Sequence, residues 1–478
     1  MNQERNLISN YIIQPKRFQK CFDKYDQLYS HNKFVSIIKT KILNTMIKKP
    51  IKISTDQLVD YLNDLKGLII DVRPVEAYNG WTLMNESRGG HIKRAKSLPL
   101  KWSKYIDWQE IVRSKGITPE KQVVVYGYSS KESMHVALLL MQAGFQDVMV
   151  YDHFADEWCP DPALPMNKLE RYEQLIYPGW LHELISNDKP VGMEKNNFVI
   201  CHAHYDNPGD YDEGHIPGAV SLDTMTLESP ETWNRRTSEE LKESLQRLGI
   251  RYNTTVILYG RFSFPDNNYP FPGKNAGHLA AMRCAVIMMY AGVNDVRILN
   301  GGLLSWIDAG YEVSKIPYLP VPVSDFGKTI PAHPEYIIDT PEAKSLLASD
   351  HGRLVSVRSW EEFIGNVSGY NYISKKGRIP GAVFGNCGSD AYHMENYRNL
   401  DHTMAEYHEI LQSWAKMGIG KENRIAFYCG TGWRASEAFM HAYLMGWPEV
   451  SVYDGGWFEW SNDPGNPVEI GEPAGSLV

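Results

Sequence analysis

Three segments of this 478-residue chain carry the same signals in the same order, and a repeat of that period constrains the architecture before any chemistry is considered. Each opens on a Gly-X-Ile turn: Gly90-His91-Ile92, Gly214-His215-Ile216 and Gly377-Arg378-Ile379. Each then reaches an apolar strand that ends in tyrosine: Val123-Val124-Val125-Tyr126, Val256-Ile257-Leu258-Tyr259 and Ile425-Ala426-Phe427-Tyr428. A helical stretch follows and stops at Gly144, Gly292 or Gly446, where glycine accepts the left-handed backbone that ends a helix. A short strand begins next, at Val148, Val296 or Val450. The third copy closes with Asp454-Gly455-Gly456-Trp457, echoed by Asn300-Gly301-Gly302 and more faintly by Asp152.

Strands that are apolar throughout, alternating with helices, are buried on both faces, which is the mark of parallel sheets with helices on either side. The expected fold is therefore α/β: three tandem domains over residues 51–165, 170–318 and 330–470, after an N-terminal extension of residues 1–50. Proline clusters, from Cys159 to Pro165 and from Pro317 to Pro334, mark the boundaries. Apolar residues make up 43% and charged residues 22%, the balance of a globular protein. A net charge of −8 leaves no basic excess to neutralise phosphates, so nucleic acid is not an expected partner. No signal-peptide pattern and no run approaching roughly 18 apolar residues is present, so no membrane association and a cytoplasmic location are expected. The six cysteines include no CxxC pair, which argues against a zinc site and a disulfide framework.

The position after each tyrosine-ending strand is Gly127, Gly260 and, in the third copy only, Cys429. There the chain reads Cys429-Gly430-Thr431-Gly432-Trp433-Arg434, leaving a strand and entering a helix. Backbone N–H groups converge at such a helix start, and Gly430 and Gly432 let the backbone approach closely. With Arg434 beside it, the Cys429 thiolate is expected to act as nucleophile, take the outer sulfur of a donor and hold it as a persulfide anion.

The Gly-His-Ile-Pro-Gly-Ala turn of the second copy, the Tyr-Cys-Gly-Thr-Gly loop and the Asp-Gly-Gly-Trp closing turn together resemble the rhodanese superfamily. The likeness is specifically to tandem-domain thiosulfate and 3-mercaptopyruvate sulfurtransferases, and it covers roughly residues 50–470. It implies two inactive copies before a catalytic third and a five-stranded parallel sheet per domain, with no metal or organic cofactor. The implied reaction passes sulfur from a small anionic donor, thiosulfate or 3-mercaptopyruvate, to cyanide or a thiol, with thioredoxin or another sulfur-carrier protein as candidate partner. Cys429 is the catalytic candidate. Arg434, Arg358, Gly430, Thr431, Gly432 and Trp433 are the substrate-binding candidates, with Arg378, Asp212, His215 and a relay role for Cys387 as further ones. Arg358 falls in the family's Asp-X-Arg motif, but the aspartate is Ser356 here, which leaves the partner of the arginine open.

Two other readings compete. A phosphatase or arsenate reductase of the same fold has a loop one residue longer, ending in arginine, and that position here is Ala435. A scaffold without catalysis fits the two copies that lack the cysteine, but not the intact loop of the third.

Overall fold

The computed structural model describes residues 49–64, 67–186, 190, 192–193, 197–206, 208–262 and 277–473. Residues 1–48, with Cys21, and residues 263–276 lie outside these; the latter hold most of the segment from Phe262 to Asn275 that makes the second copy longer between Gly260 and Gly292 than its counterparts, read from the sequence as an insertion loop.

Each repeat forms one five-stranded sheet. The strands are β1 (Ile51–Lys52), β2 (Leu68–Asp71), β3 (Lys96–Ser97), β4 (Val123–Tyr126) and β5 (Val148–Tyr151) in the first. The second contains β6 (Leu175–Ile176), β7 (Phe198–His204), β8 (Ala219–Asp223), β9 (Thr255–Gly260) and β10 (Asp295–Leu299). The third has β11 (Ile337–Ile338), β12 (Gly352–Ser356), β13 (Val383–Phe384), β14 (Arg424–Tyr428) and β15 (Val450–Tyr453). All pairings within the three sheets are parallel, and the spatial order is the same each time: first, fifth, fourth, second, third. The tyrosine-ending strand is thus central in every sheet. Val123 to Tyr126 and all of β9 are buried, as a strand covered on both faces must be.

The helix after each central strand sets how the domains meet. These helices are α1 (Ser130–Gln142), α2 (Gly277–Ala291) and α3 (Trp433–Leu444). Ser129 and Glu132 form a capping box that starts α1. Every residue of α2 is buried, because one side packs on its own sheet and the other on α3. The second and third domains consequently share one hydrophobic core, whereas the first keeps its own apart from Trp81, which packs among second-domain residues including Ile176 and Trp180. Polar contacts tie the first domain on: Trp102 Nε1 donates to Asp401 Oδ2 at 2.8 Å, and buried Lys115 pairs with Glu406 at 2.5 Å. The three helix-ending glycines all have positive φ, +102° at Gly144, +109° at Gly292 and +77° at Gly446.

The two copies with glycine at the Cys429 position have closed the space where a cysteine side chain would stand. A Cβ at Gly127 would lie 2.7 Å from Val72 Cγ2, and one at Gly260 would lie 1.9 Å from the carbonyl oxygen of Gly277. A flexible side chain can yield at the first position, but backbone cannot at the second. Gly260→Ala is therefore expected to lower the thermal unfolding midpoint more than Gly144→Ala. At Gly144 nothing lies within 4 Å, and the cost is only that of left-handed backbone, about 1–2 kcal/mol. The reverse order in paired melts would contradict this account of the closed loops.

Candidate active site

The Cys429 loop joins β14 to α3, and its shape is set by what its carbonyls bind. Trp457 N donates to the Cys429 carbonyl at 2.8 Å, and Phe458 N to that of Gly430 at 3.0 Å. Both donors follow the closing turn, whose Gly456 has φ +53° and is so close that a Cβ would sit 2.6 Å from the Gly430 oxygen. With the carbonyls held outward, the N–H groups are left for the inner side. None from Gly430 through Ala435 finds an acceptor among the described residues. Cys429 itself is buried, and no disulfide joins it to another described cysteine. The arrangement can hold an anion on the Cys429 side chain at the start of a three-turn helix.

The two expected anion-binding arginines are engaged elsewhere. Arg434 donates to both oxygens of Glu362 at 2.9 Å, to the Tyr370 hydroxyl at 2.6 Å and to Cys387 Sγ at 3.1 Å. Arg358 donates to Glu362 Oε1 at 3.2 Å and to the Gly377 carbonyl at 2.7 Å. All three side chains are buried. Burial alone would raise the Glu362 carboxyl, but Arg434 and Arg358 hold it at about 2. Glu362 is thus the orienting partner that Ser356 does not supply. The sequence carried a sign of it: Ser359-Trp360-Glu361-Glu362 is a capping box, in which Ser359 N and Oγ donate to Glu362 Oε2.

Above the loop the wall is aromatic. Tyr205, Trp233, Tyr370, Tyr372, Tyr392 and Trp433 line one cavity with Thr431 and Arg434. Tyr370 lies against Gly430, where a Cβ would be 2.4 Å from its ring. Tyr372 and Thr431 share a hydrogen bond between hydroxyls. Burial pushes both tyrosines well above their ordinary range, so both keep their protons. Tyr205 and Trp233 come from the second domain and carry no motif that marks them.

The other candidates stand apart from this cavity. Arg378 ties down the C-terminal segment, pairing with Glu469 at 3.1 Å and donating to the Phe363 and Gly471 carbonyls. His215 stacks on Tyr211 at 3.7 Å, with ring nitrogens 2.9 and 3.0 Å from the carbonyls of Tyr211 and Ile316, and Asp212 is exposed. Neither His215 nor Asp212 lines the cavity. Among the described residues, one group could bring three ligand atoms to a metal, His153, Asp156 and Glu157 on the first domain, and two of the three are exposed. No described helix is long and apolar enough to cross a membrane.

Replacing Glu362 with glutamine leaves Arg434 and Arg358 buried without their counter-charge. Breaking a buried pair in this way costs about 3–5 kcal/mol. Glu362→Gln is expected to lower the unfolding midpoint of the third domain accordingly, and an unchanged midpoint would refute the pairing. The Glu362 contribution is present above the ordinary carboxyl value of 4.5 and is lost as pH falls from there through about 2.

Comparison with known proteins agrees with this geometry. A family profile described as rhodanese-like domain matches residues 54–161, 180–309 and 339–463. Thiosulfate sulfurtransferase YnjE of Escherichia coli is 40% identical over 418 residues, covering 87% of this chain and 91% of that one. Sulfur carrier protein TtuD of Thermus thermophilus is 30% identical over 312 residues, 63% of this chain and 98% of that one. The solved structure of wild-type EanB superposes with a TM-score of 0.88 at 55% identity, covering 89% of this chain and 99% of the other. EanB has also been solved with hercynine, with ergothioneine, and as a cysteine persulfide in a tetrahedral intermediate state with ergothioneine. The three sheets, the cysteine loop and these relatives together place the chain in the rhodanese family, as a three-domain sulfur-transfer enzyme.

Proposed function

We propose that this chain carries sulfur as a Cys429 persulfide and passes it to the imidazole ring of hercynine, giving ergothioneine. The observation that carries this reading is the aromatic wall over the cysteine loop, combined with arginines whose donors already share the buried Glu362 carboxylate. Such a cavity suits a flat ring bearing a quaternary ammonium, which aromatic faces attract, better than it suits a small dianion. The likeness to EanB supports it further. EanB variants solved with hercynine or ergothioneine replace a tyrosine, a threonine and cysteines, and a persulfide cysteine is seen there. The same separations counted from Cys429 fall on Tyr370, Thr431 and Cys387, while that of the other replaced cysteine falls on Ser356.

The chemistry balances as two displacements. Cys429 thiolate bonds the outer sulfur of thiosulfate, the S–S bond of the donor breaks, and sulfite leaves. The outer persulfide sulfur then bonds the ring carbon between the two nitrogens. The Cys429 S–S bond breaks with its electron pair on Cys429, and the proton of that carbon is released. Overall Cys–S–SH and ring C–H become Cys–SH and ring C–SH, the carbon oxidised and the outer sulfur reduced. The loop N–H groups hold the sulfur anion in both halves. Tyr370 accepts from Arg434 and keeps its own proton, and with Thr431 it is placed to hydrogen-bond the ring.

A second reading keeps the same persulfide but gives it to cyanide, a thiol or a sulfur-carrier protein, with thiosulfate or 3-mercaptopyruvate as donor. The names of the Escherichia coli and Thermus relatives favour it. The two readings separate in one assay of the full chain with thiosulfate, supplied with hercynine, histidine or cyanide. The hercynine reading predicts ergothioneine by mass spectrometry, at least about fivefold preference over histidine from the quaternary ammonium, and none with Cys429→Ser. Tyr370→Phe should still load sulfur while kcat falls about 10²-fold. Thiocyanate with no ergothioneine would select the second reading.

A further inference from the structure

The second domain has Gly260 where the third has Cys429, yet its buried charges lie directly beneath the cysteine loop. Arg283, on α2, is fully buried. A Cβ built on Gly432 would be 3.0 Å from Arg283 Nη1 and 3.2 Å from its Cζ, so the guanidinium underlies the loop at that glycine. Its Nε donates to Glu228 Oε1 at 2.6 Å, and its Nη2 donates to Asp454 Oδ1 at 2.5 Å and to the Trp233 carbonyl at 3.0 Å. Nη1 is buried without a partner among the described residues.

Each of these contacts reaches a part of the site. Glu228 accepts Trp433 Nε1 at 3.0 Å, which fixes the far end of the loop. Asp454 opens the closing turn whose Trp457 and Phe458 hold the loop carbonyls. Arg235 binds the other oxygen of Asp454 at 2.7 Å and completes the cluster. On the opposite side of the loop, the Arg434 and Arg358 charges meet Glu362, and Tyr370, Tyr372 and Cys387 are neutral neighbours. The positive charge on the second-domain side is therefore Arg283 and Arg235, set against Asp454, Glu228 and Asp339, whose two oxygens accept from Arg235 at 2.7 and 2.9 Å.

We propose that Arg283 and Glu228 of the second domain are positioning residues for Cys429, holding the loop and setting the charge beneath it in opposite senses. This deepens the persulfide reading, since it rests on Cys429 acting as a thiolate, and it gives a physical reason for keeping a repeat without a nucleophile. Glu228 is pushed up to about 7 by burial, against the pull of Arg283, so it is largely ionised above that pH.

The test is the pH dependence of Cys429 alkylation by iodoacetamide, a neutral reagent, read on the Cys429 peptide by mass spectrometry between pH 7 and 10. Arg283→Met removes the cation and should raise the midpoint by about one pH unit, which is a loss of about 1.4 kcal/mol of attraction for the thiolate. Glu228→Gln keeps an oxygen 2.6 Å from Arg283 Nε and 3.3 Å from Trp433 Nε1, loses the 3.0 Å contact of Trp433 with the other oxygen, and should lower the midpoint by a similar amount. A purely structural role would disturb the loop in both variants and move both midpoints the same way, which would overturn the proposal, as would no movement in either. Should Arg283→Met fail to fold, Glu228→Gln decides alone: a lower midpoint supports the proposal, and an unchanged or higher one sinks it. Alkylation needs neither donor nor acceptor. Absence of hercynine turnover in the unmodified chain would count against the acceptor assignment and leave this result standing.

Discussion

Two backbone hydrogen bonds, from Trp457 and Phe458 to the carbonyls of Cys429 and Gly430, turn the loop so that its N–H groups face inward. They are possible only because the closing turn comes within van der Waals contact of the loop, and Gly456 is the residue that permits the approach. The second repeat keeps the close approach, since a Cβ at Gly302, φ +58°, would sit 2.6 Å from the Gly260 carbonyl oxygen, but no N–H of its closing turn donates to the Gly260 or Arg261 carbonyl among the described residues. The approach therefore belongs to the fold, and the hydrogen-bonded clamp to the third repeat. What also distinguishes the third repeat is that its loop leaves room for a sulfur atom, whereas Gly277 fills that room in the second.

With the N–H groups inward, the loop supplies the stabilisation of a sulfur anion itself and leaves the arginines to another task. Arg434 and Arg358 share Glu362, and the three brace the segment that carries Tyr370 and Tyr372 over the loop. Arg434 thus reaches the cavity lining already paired with Glu362, and rings form most of that surface. The second domain contributes on both levels, with Tyr205 and Trp233 in the wall and Arg283 and Glu228 underneath. The shared core of α2 and α3 is what brings those residues within reach.

The architecture was legible because the repeat is local: central strand, loop, helix, glycine and closing turn all follow one another in each copy, and the three sheets share one strand order. Cys429 was legible for the same reason. The arginines were visible as residue types, but their orientation depends on Glu362, and only tertiary placement shows that a capping carboxylate also accepts from two guanidinium groups. His215 stood out in its motif, and its ring is taken up by a stack on Tyr211 and by nearby carbonyls. Tyr205, Trp233, Glu228 and Arg283 carry no spacing signal at all. They meet the third domain through the packing of two helices distant in sequence, which no pattern along one repeat records.

The most direct test of the central claim is a single-turnover chase. The protein would be loaded with one isotopically labelled sulfur on Cys429, freed of donor, and mixed with hercynine. The account predicts that the label leaves the Cys429 peptide and appears in ergothioneine in equal amount, at the same rate. A persulfide that stays on Cys429 in the presence of hercynine but discharges to cyanide or a thiol would contradict the assigned acceptor. Label spread over several cysteines would contradict the single-site loop on which the account is built.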